Sequence, residues 1–186
     1  DIDRLVRCMA LCSDAKWDPV AQDAVGEPTE CALVNYAEKL ELSKNVQKNV
    51  FVRIGEVPFD SMRKMMTTVH RTADGSLIQF TKGAPDEILK KCSHIDINGD
   101  IYEMTDKFRT QIMEENTRMG NKALRVFAVA YKNYDAAPTA FDSESLEFDM
   151  TFIGLTGMID PVRPEVKDAI VECRSAGITP IMITGD

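Results

Sequence analysis

The chain has no run of about 18 apolar residues, the length a helix needs to cross a bilayer. Its longest apolar stretch, Ala123 to Tyr131, is interrupted by Arg125. It also lacks an excess of positive charge. Thirty acidic residues stand against 22 basic ones, for a net charge of −8, the reverse of the balance nucleic-acid binders carry. No stripe of Lys and Arg marks a membrane-surface helix. Cysteine is sparse: five residues, an odd number, with no secretory leader ahead of them. That pattern reads as reduced thiols of a cytosolic protein. Cys8 and Cys12 lie one helical turn apart, but neither of the two histidines, His70 and His94, sits at ligand spacing, so no metal site is expected. There is no G-x-x-x-x-G-K-[ST] and no G-x-G-x-x-G, which excludes a Walker-type ATPase and a Rossmann dehydrogenase. No repeat of about 20 to 50 residues is present.

What remains is an ordinary globular composition. The 186 residues are 44% hydrophobic and 28% charged, enough to bury a sizeable core. At about 150 residues per domain the length corresponds to about 1.2 domains, which reads as one domain plus a piece of another. Ile2, Leu5, Val6 and Met9 repeat at helical spacing. Gly26-Glu27-Pro28-Thr29 breaks that helix, and Pro28 suits the first turn of the next, whose face is Ala32, Leu33, Tyr36, Ala37 and Leu40. Phe51–Val57, Lys64–Arg71 and Leu77–Thr81 read as strands, with Asp74-Gly75 as a hairpin turn. Pro85 starts a short helix. Ile95–Ile97 and Ile101–Glu103 flank Asn98-Gly99 as a second hairpin. Thr105 caps a helix that Gly120 stops, and Leu124–Tyr131 is a buried strand. From Thr151 the pattern becomes strand, helix and strand, ending on the apolar run Ile178–Ile183. That is the unit of a parallel sheet, and it reads as part of a second domain.

Several clusters carry chemistry. In Thr81-Lys82-Gly83-Ala84-Pro85 a strand-end lysine precedes a glycine that lets a flat ligand approach the backbone. The ordinary alternative is a surface lysine beside a tight turn. In Pro58-Phe59-Asp60-Ser61-Met62-Arg63-Lys64 an aromatic sits beside two cations. Phe59 could stack on a base and Lys64 meet a phosphate, or Phe59 could be core and the charges solvated. Glu27 and Glu30 flank a helix start, where acidic side chains favour the helix dipole. They could equally bond an exocyclic amine. Arg125, within an apolar strand, needs a partner, either an internal carboxylate or a ligand.

Taken in order, six segments resemble the cytoplasmic region of P-type ATPases, the cation pumps that form an aspartyl-phosphate. They are Gly26-Glu27-Pro28-Thr29-Glu30, Pro58 to Lys64, Thr81 to Pro85, Leu124-Arg125-Val126, Asp160-Pro161-Val162-Arg163 and Thr184-Gly185-Asp186. The wording of the Phe59 and Lys82 segments is most similar to calcium pumps of the endoplasmic-reticulum type and their bacterial relatives. The resemblance implies an α/β nucleotide-binding domain over residues 1–159, a mainly antiparallel sheet flanked by helices. It also implies a C-terminal βαβ fragment of a dehalogenase-like phosphorylation domain over 160–186. Its ATP-binding residues would be Glu27, Glu30, Phe59, Lys64, Lys82, Gly83 and Arg125. Phe59 matches the adenine-stacking ring, Glu30 the partner of the adenine amine, Lys82 the pocket floor and Arg125 the phosphate contact. Asp160 and Arg163 match the hinge, and Thr184, Gly185 and Asp186 flank the phosphorylation site.

The cofactors implied are ATP and the Mg2+ that accompanies it. The partners implied are ATP or ADP and the phosphorylation, actuator and transmembrane domains of one pump, with no nucleic acid. The chain would be a soluble cytoplasmic domain of a multi-pass membrane protein. Two departures stand out: Ser61 occupies a position where some relatives have arginine, and the hinge reads Asp-Pro-Val-Arg where Asp-Pro-Pro-Arg is common. No Asp-Lys-Thr-Gly-Thr occurs, so the chain should bind ATP without hydrolysing it. The alternative is a stand-alone nucleotide-sensing or interaction module. A third class, a small dehalogenase-type phosphatase, is suggested only by Asp1-Ile2-Asp3, which follows no strand.

Overall fold

A computed structural model of the chain describes residues 2–159, 163–181 and 183. Helix α1 (Ile2–Leu11) leads into a small antiparallel hairpin, β1 (Lys16–Asp18) and β2 (Asp23–Val25). Helices α2 (Pro28–Lys39) and α3 (Lys44–Val50) follow. Next come β3 (Val52–Asp60), β4 (Met65–Arg71), β5 (Leu77–Gly83), α4 (Pro85–Lys91), β6 (Cys92–Ile97) and β7 (Asp100–Glu103). The chain continues through α5 (Asp106–Gly120), β8 (Arg125–Tyr134), α6 (Ser143–Leu146), β9 (Met150–Met158) and α7 (Pro164–Ser175).

Seven strands form one sheet in the order β3-β4-β5-β8-β9-β6-β7. Every pairing is antiparallel except β6 with β9, so the sheet is mixed but mainly antiparallel. The turn chemistry explains the hairpins. Asn98 and Gly99 both take positive φ, 56° and 97°, which a two-residue turn of this hand requires. At the β4–β5 turn Gly75 has φ 88°, and the Asp74 carboxylate accepts from the Ser76 N–H at 3.0 Å.

The place of β8 in the sheet explains why its stretch Val126–Tyr131 is apolar. Side chains alternate between the two faces of a strand, and both faces of β8 are covered. Ala128 and Ala130 pack with Ile88 and Leu89 of α4 and with Met150 and Phe152 of β9, and Phe108, Ile112 and Met113 of α5 close this layer. Val129 and Tyr131 pack on the other side with Cys8 and Leu11 of α1, Cys12 just beyond it, Met66 of β4 and Phe80 of β5. Helix α2 leans on α1 through Ala37 against Val6 and Ala10. It also leans on the small hairpin through Val34 against Ala15 and Ala24. Together these contacts set the N-terminus of α2 beside the ends of β5 and β8.

Some elements differ from the sequence expectation. The β1–β2 hairpin and the short helices α3 and α6 were not anticipated. Thr105 does cap α5, accepting from the Phe108 N–H at 3.3 Å, but Gly120 is its last helical residue, and the left-handed residue beyond it is Ala123 at φ 58°. Thr151–Ile159 was expected to open a separate parallel unit. Instead β9 belongs to the seven-stranded sheet, antiparallel to β8. Gly177, at φ 74°, follows the end of α7, and α7 buries no residue. Residues 178–181 and 183 form no strand. The expected hinge residue Asp160, and Thr184, Gly185 and Asp186, lie outside the described residues; Arg163 is exposed and precedes α7.

Candidate functional site

A cleft of about 550 Å³ opens where α2, the α1–β1 corner and the ends of β3, β5 and β8 meet. Five of the residues singled out in the sequence line it: Glu27, Glu30, Phe59, Lys82 and Arg125. They come from four segments far apart in the chain.

Lys82 is placed by β5. Its side chain is only 9% exposed, and its Nζ meets Glu30 Oε1 at 2.6 Å. A lysine so enclosed needs such a counter-charge. Glu30 is itself held tightly. Its other oxygen, Oε2, accepts from the Asp14 and Ala15 N–H groups at 2.8 and 3.1 Å. Glu30 therefore ties the α1–β1 corner to the cleft lysine.

Glu27 is the N-cap of α2, and Pro28 follows in the first turn, where its missing N–H costs nothing. The Glu27 carboxylate accepts from the Glu30 N–H at 3.1 Å and from the Thr29 hydroxyl at 3.0 Å. Burial alone would raise its pKa, but these bonds and the nearby Arg125 outweigh it and hold the carboxyl below its ordinary value. Gly26 precedes the cap at φ 153°, and a Cβ there would lie 2.8 Å from the Ala15 Cα. A glycine is thus needed for the corner and α2 to touch. Arg125 opens β8 and is exposed; its Nη1 donates to Thr29 Oγ1 at 3.0 Å. The structure thus gives it a hydroxyl partner on α2, not a place in the strand interior.

Phe59 lies near the end of β3, within an irregularity in the β3–β4 register between Val57 and Asp60. It is 61% exposed, so it is a cleft-edge ring and not a core residue. Leu33, Met66 and Phe127 supply an apolar lining. The arrangement suits a flat ligand with an apolar face against Phe59 and an anionic extension toward Lys82 and Arg125.

Lys64 and Gly83 do not line this cleft. Lys64 is exposed at φ 55°, and its carbonyl accepts from the Ala84 N–H at 2.9 Å. Gly83 is buried, and a Cβ on it would sit 2.5 Å from the Lys64 carbonyl oxygen. The glycine serves the close approach of β4. The sequence did not reveal Asp14, Ala15, Leu33, Met66 or Phe127 as lining residues. Only Phe127 carried a signal, two residues from Arg125 and so on the same face of β8.

An apolar slot with an exposed aromatic ring and two cations thus opens at the edge of a mixed α/β sheet. Sequence comparison gives the class a name. A family model described as P-type ATPase, cytoplasmic domain N, matches residues 1–165. The chain belongs to that family. It is 46% identical, over all of its length, to a calcium-transporting ATPase 1 of Bacillus cereus. It is 39% identical over 98% of its length to a calcium-transporting ATPase of Listeria monocytogenes. It is 37% identical over 98% of its length to a calcium-transporting ATPase 1 of Lactococcus lactis. The chain spans about 20% of the length of each of these relatives. No helix among the described residues is long and apolar enough to cross a membrane.

Proposed function

We propose that this chain is the ATP-gripping part of a calcium-transporting P-type pump, and that the cleft beside the Lys82–Glu30 pair receives the adenine end of the nucleotide. One observation carries this: an exposed aromatic, a buried ion pair and a second cation converge on one apolar slot. Phe59 stacks on the base, a contact of about 1–3 kcal/mol in comparable cases. Glu30 already accepts three bonds of the roughly four a carboxylate can take, and the last is available to an exocyclic amine. Lys82 and Arg125 draw the charged tail, and the close approach of the Lys64 carbonyl to Gly83 supports the strand end that carries Lys82.

Phosphoryl transfer is mainly positioning and charge neutralisation. A domain that holds ATP by its base can deliver the γ-phosphate to a carboxylate elsewhere. In this reading residues 160–186 begin the phosphorylation domain, with Asp160 and Arg163 at its hinge and Thr184, Gly185 and Asp186 near the phosphorylated aspartate. The partners are the phosphorylation, actuator and transmembrane domains of the same pump. In this reading Mg2+ accompanies the triphosphate. With no Asp-Lys-Thr-Gly-Thr in the sequence, the chain binds ATP and releases it unchanged.

Calorimetric titration of ATP into the chain, with and without Mg2+, tests this. Saturable binding that weakens by about tenfold or more in Phe59→Ala and in Lys82→Ala is expected. Phe59→Ala removes an exposed ring and so should leave folding intact. Equal affinity in the wild type and both variants, or no binding to folded wild type at millimolar ATP, sinks the assignment.

A further inference from the structure

A charged cluster lies behind the cleft wall. Lys44 opens α3 and is half-buried. Its Nζ donates to the Ser13 carbonyl at 2.7 Å, at the turn between α1 and β1. The next two amides, of Asp14 and Ala15, are those that hold Glu30 Oε2. Glu30 Oε1 in turn holds Lys82. The far side of the corner is fixed by Arg53, whose Nη1 meets Asp14 Oδ1 at 2.8 Å. Helix α3 fastens β1 a second time, through Asn45 Nδ2 to the Trp17 carbonyl at 3.2 Å. Lys44 is itself anchored from α2, where Glu38 Oε1 accepts from its backbone N–H at 3.0 Å. One continuous chain of bonds therefore runs from Lys44, through the corner and Glu30, to the cleft lysine.

We propose that Lys44, which does not line the cleft, is a positioning residue for the nucleotide site: its ammonium pins the Ser13–Ala15 corner and thereby sets Glu30 and Lys82. The proposal rests on the nucleotide assignment above. Its physical content is a balance of charge. Glu30 and Asp14 are two carboxylates among three cations, Lys44, Lys82 and Arg53. With Lys44 charged, Glu30 shares its field between two ammonium groups. With Lys44 neutral, Glu30 draws on Lys82 alone and holds it back from an anionic ligand, while the corner loses a charge-assisted bond.

The same residue provides the readout. Burial pulls the Lys44 pKa down to about 8; Glu30 opposes the shift, Arg53 and Lys82 reinforce it, and Asp14 opposes it again. Between about 8 and the ordinary lysine value the unfolded chain holds a proton the folded chain has given up, so this group makes the fold more stable as pH rises. A purely structural lysine therefore predicts binding that holds or improves above pH 8. A positioning ammonium predicts binding that falls. Lys44→Arg separates this titration from those of other groups nearby. Cys12, against its burial, is held at about 7 by the Cys8 thiol and Lys82, and it is unchanged in every variant below. His70 titrates lower, at about 4.

The test is calorimetric titration of ATP between about pH 7 and about pH 9, on the whole chain, with thermal unfolding recorded at each pH. In the wild type the affinity should fall by about tenfold across this range, the worth of one charge-assisted bond, while the unfolding temperature does not fall. Lys44→Arg keeps the charge at all these pH values and should bind as tightly at pH 9 as wild type does at pH 7. Lys44→Met should bind weakly at every pH. A wild-type affinity that is flat with pH, or a pH dependence that survives in Lys44→Arg, overturns the positioning role while leaving the nucleotide site intact. Absence of ATP binding by the wild type at every pH overturns the nucleotide assignment, and this proposal with it.

Discussion

His70 illustrates how little a residue's name says about its state. It lies on β4 at 1% exposure, with Nδ1 3.2 Å from the Phe51 carbonyl and Nε2 2.9 Å from Thr68 Oγ1. Its ring is 5.7 Å from that of Phe80. Burial lowers its pKa to about 4; the Phe51 carbonyl opposes the shift, and Arg53 and Lys44 add to it. The unfolded histidine titrates near 6.5, so from about pH 6.5 down to about 4 the unfolded chain binds a proton the folded chain refuses. Stability present above about pH 6.5 is lost over that window, by about 3 kcal/mol at most. Urea unfolding at a series of pH values should show the loss in wild type and a shallower slope in His70→Gln. Parallel slopes in the two proteins would disprove the account. In the sequence His70 and His94 were indistinguishable, because burial is a tertiary property. Phe59, Lys82 and Glu30 were legible because their neighbours along the chain are distinctive. Lys44 and Asp14 were not, because their partners are remote: Lys44 reaches Ser13, and Asp14 meets Glu30 and Arg53.

Glycines show what the elements demand of each other. At Gly83 a methyl group would meet the Lys64 carbonyl oxygen at 2.5 Å, the Met65 Cβ at 2.6 Å and the Met65 Cα at 2.9 Å. Two of these are main-chain atoms of the neighbouring strand and cannot swing aside. Gly120, the last residue of α5, has nothing within 4 Å of a built Cβ. The same substitution should therefore have opposite signs at the two sites. Gly83→Ala should destabilise by about 1–3 kcal/mol through overpacking, whereas Gly120→Ala should be neutral or stabilise by up to about 1 kcal/mol. Denaturant midpoints decide it, and equal shifts at the two positions would refute the packing argument. Elements were legible from sequence where a local signal sufficed: Asp74-Gly75, Asn98-Gly99, Thr105 and Pro28. The order of the strands was not, because the parallel contact of β6 with β9 joins segments more than fifty residues apart, Cys92 against Met150. The three-residue strands β1 and β2 are too short for any periodicity to show.

For the molecule as a whole, the question is which part of the chain the cleft needs. Its lining runs from Asp14 to Phe127, and both core layers of the sheet are complete by Leu155. Helix α7 adds no buried residue. Val171 at 59% exposure stays in water together with Ile178 and Ile181, while Val166, Ile170 and Cys173 are only half-buried. A segment that buries so little contributes little to folding, since apolar area removed from water is the main stabilising quantity. The expected boundary after Ile159 therefore becomes a measurement. A chain ending at Ile159 should unfold within about 4 °C of the full chain, a margin of about 1 kcal/mol at this length, and should bind ATP with unchanged affinity. A larger fall in unfolding temperature would mean that residues 160–186 belong to the same cooperative unit. Unchanged stability with weakened ATP binding would instead place part of the nucleotide site beyond the sheet. Only equality in both measurements fits a nucleotide domain complete at residue 159, with α7 leaving its apolar face available to another part of a longer protein.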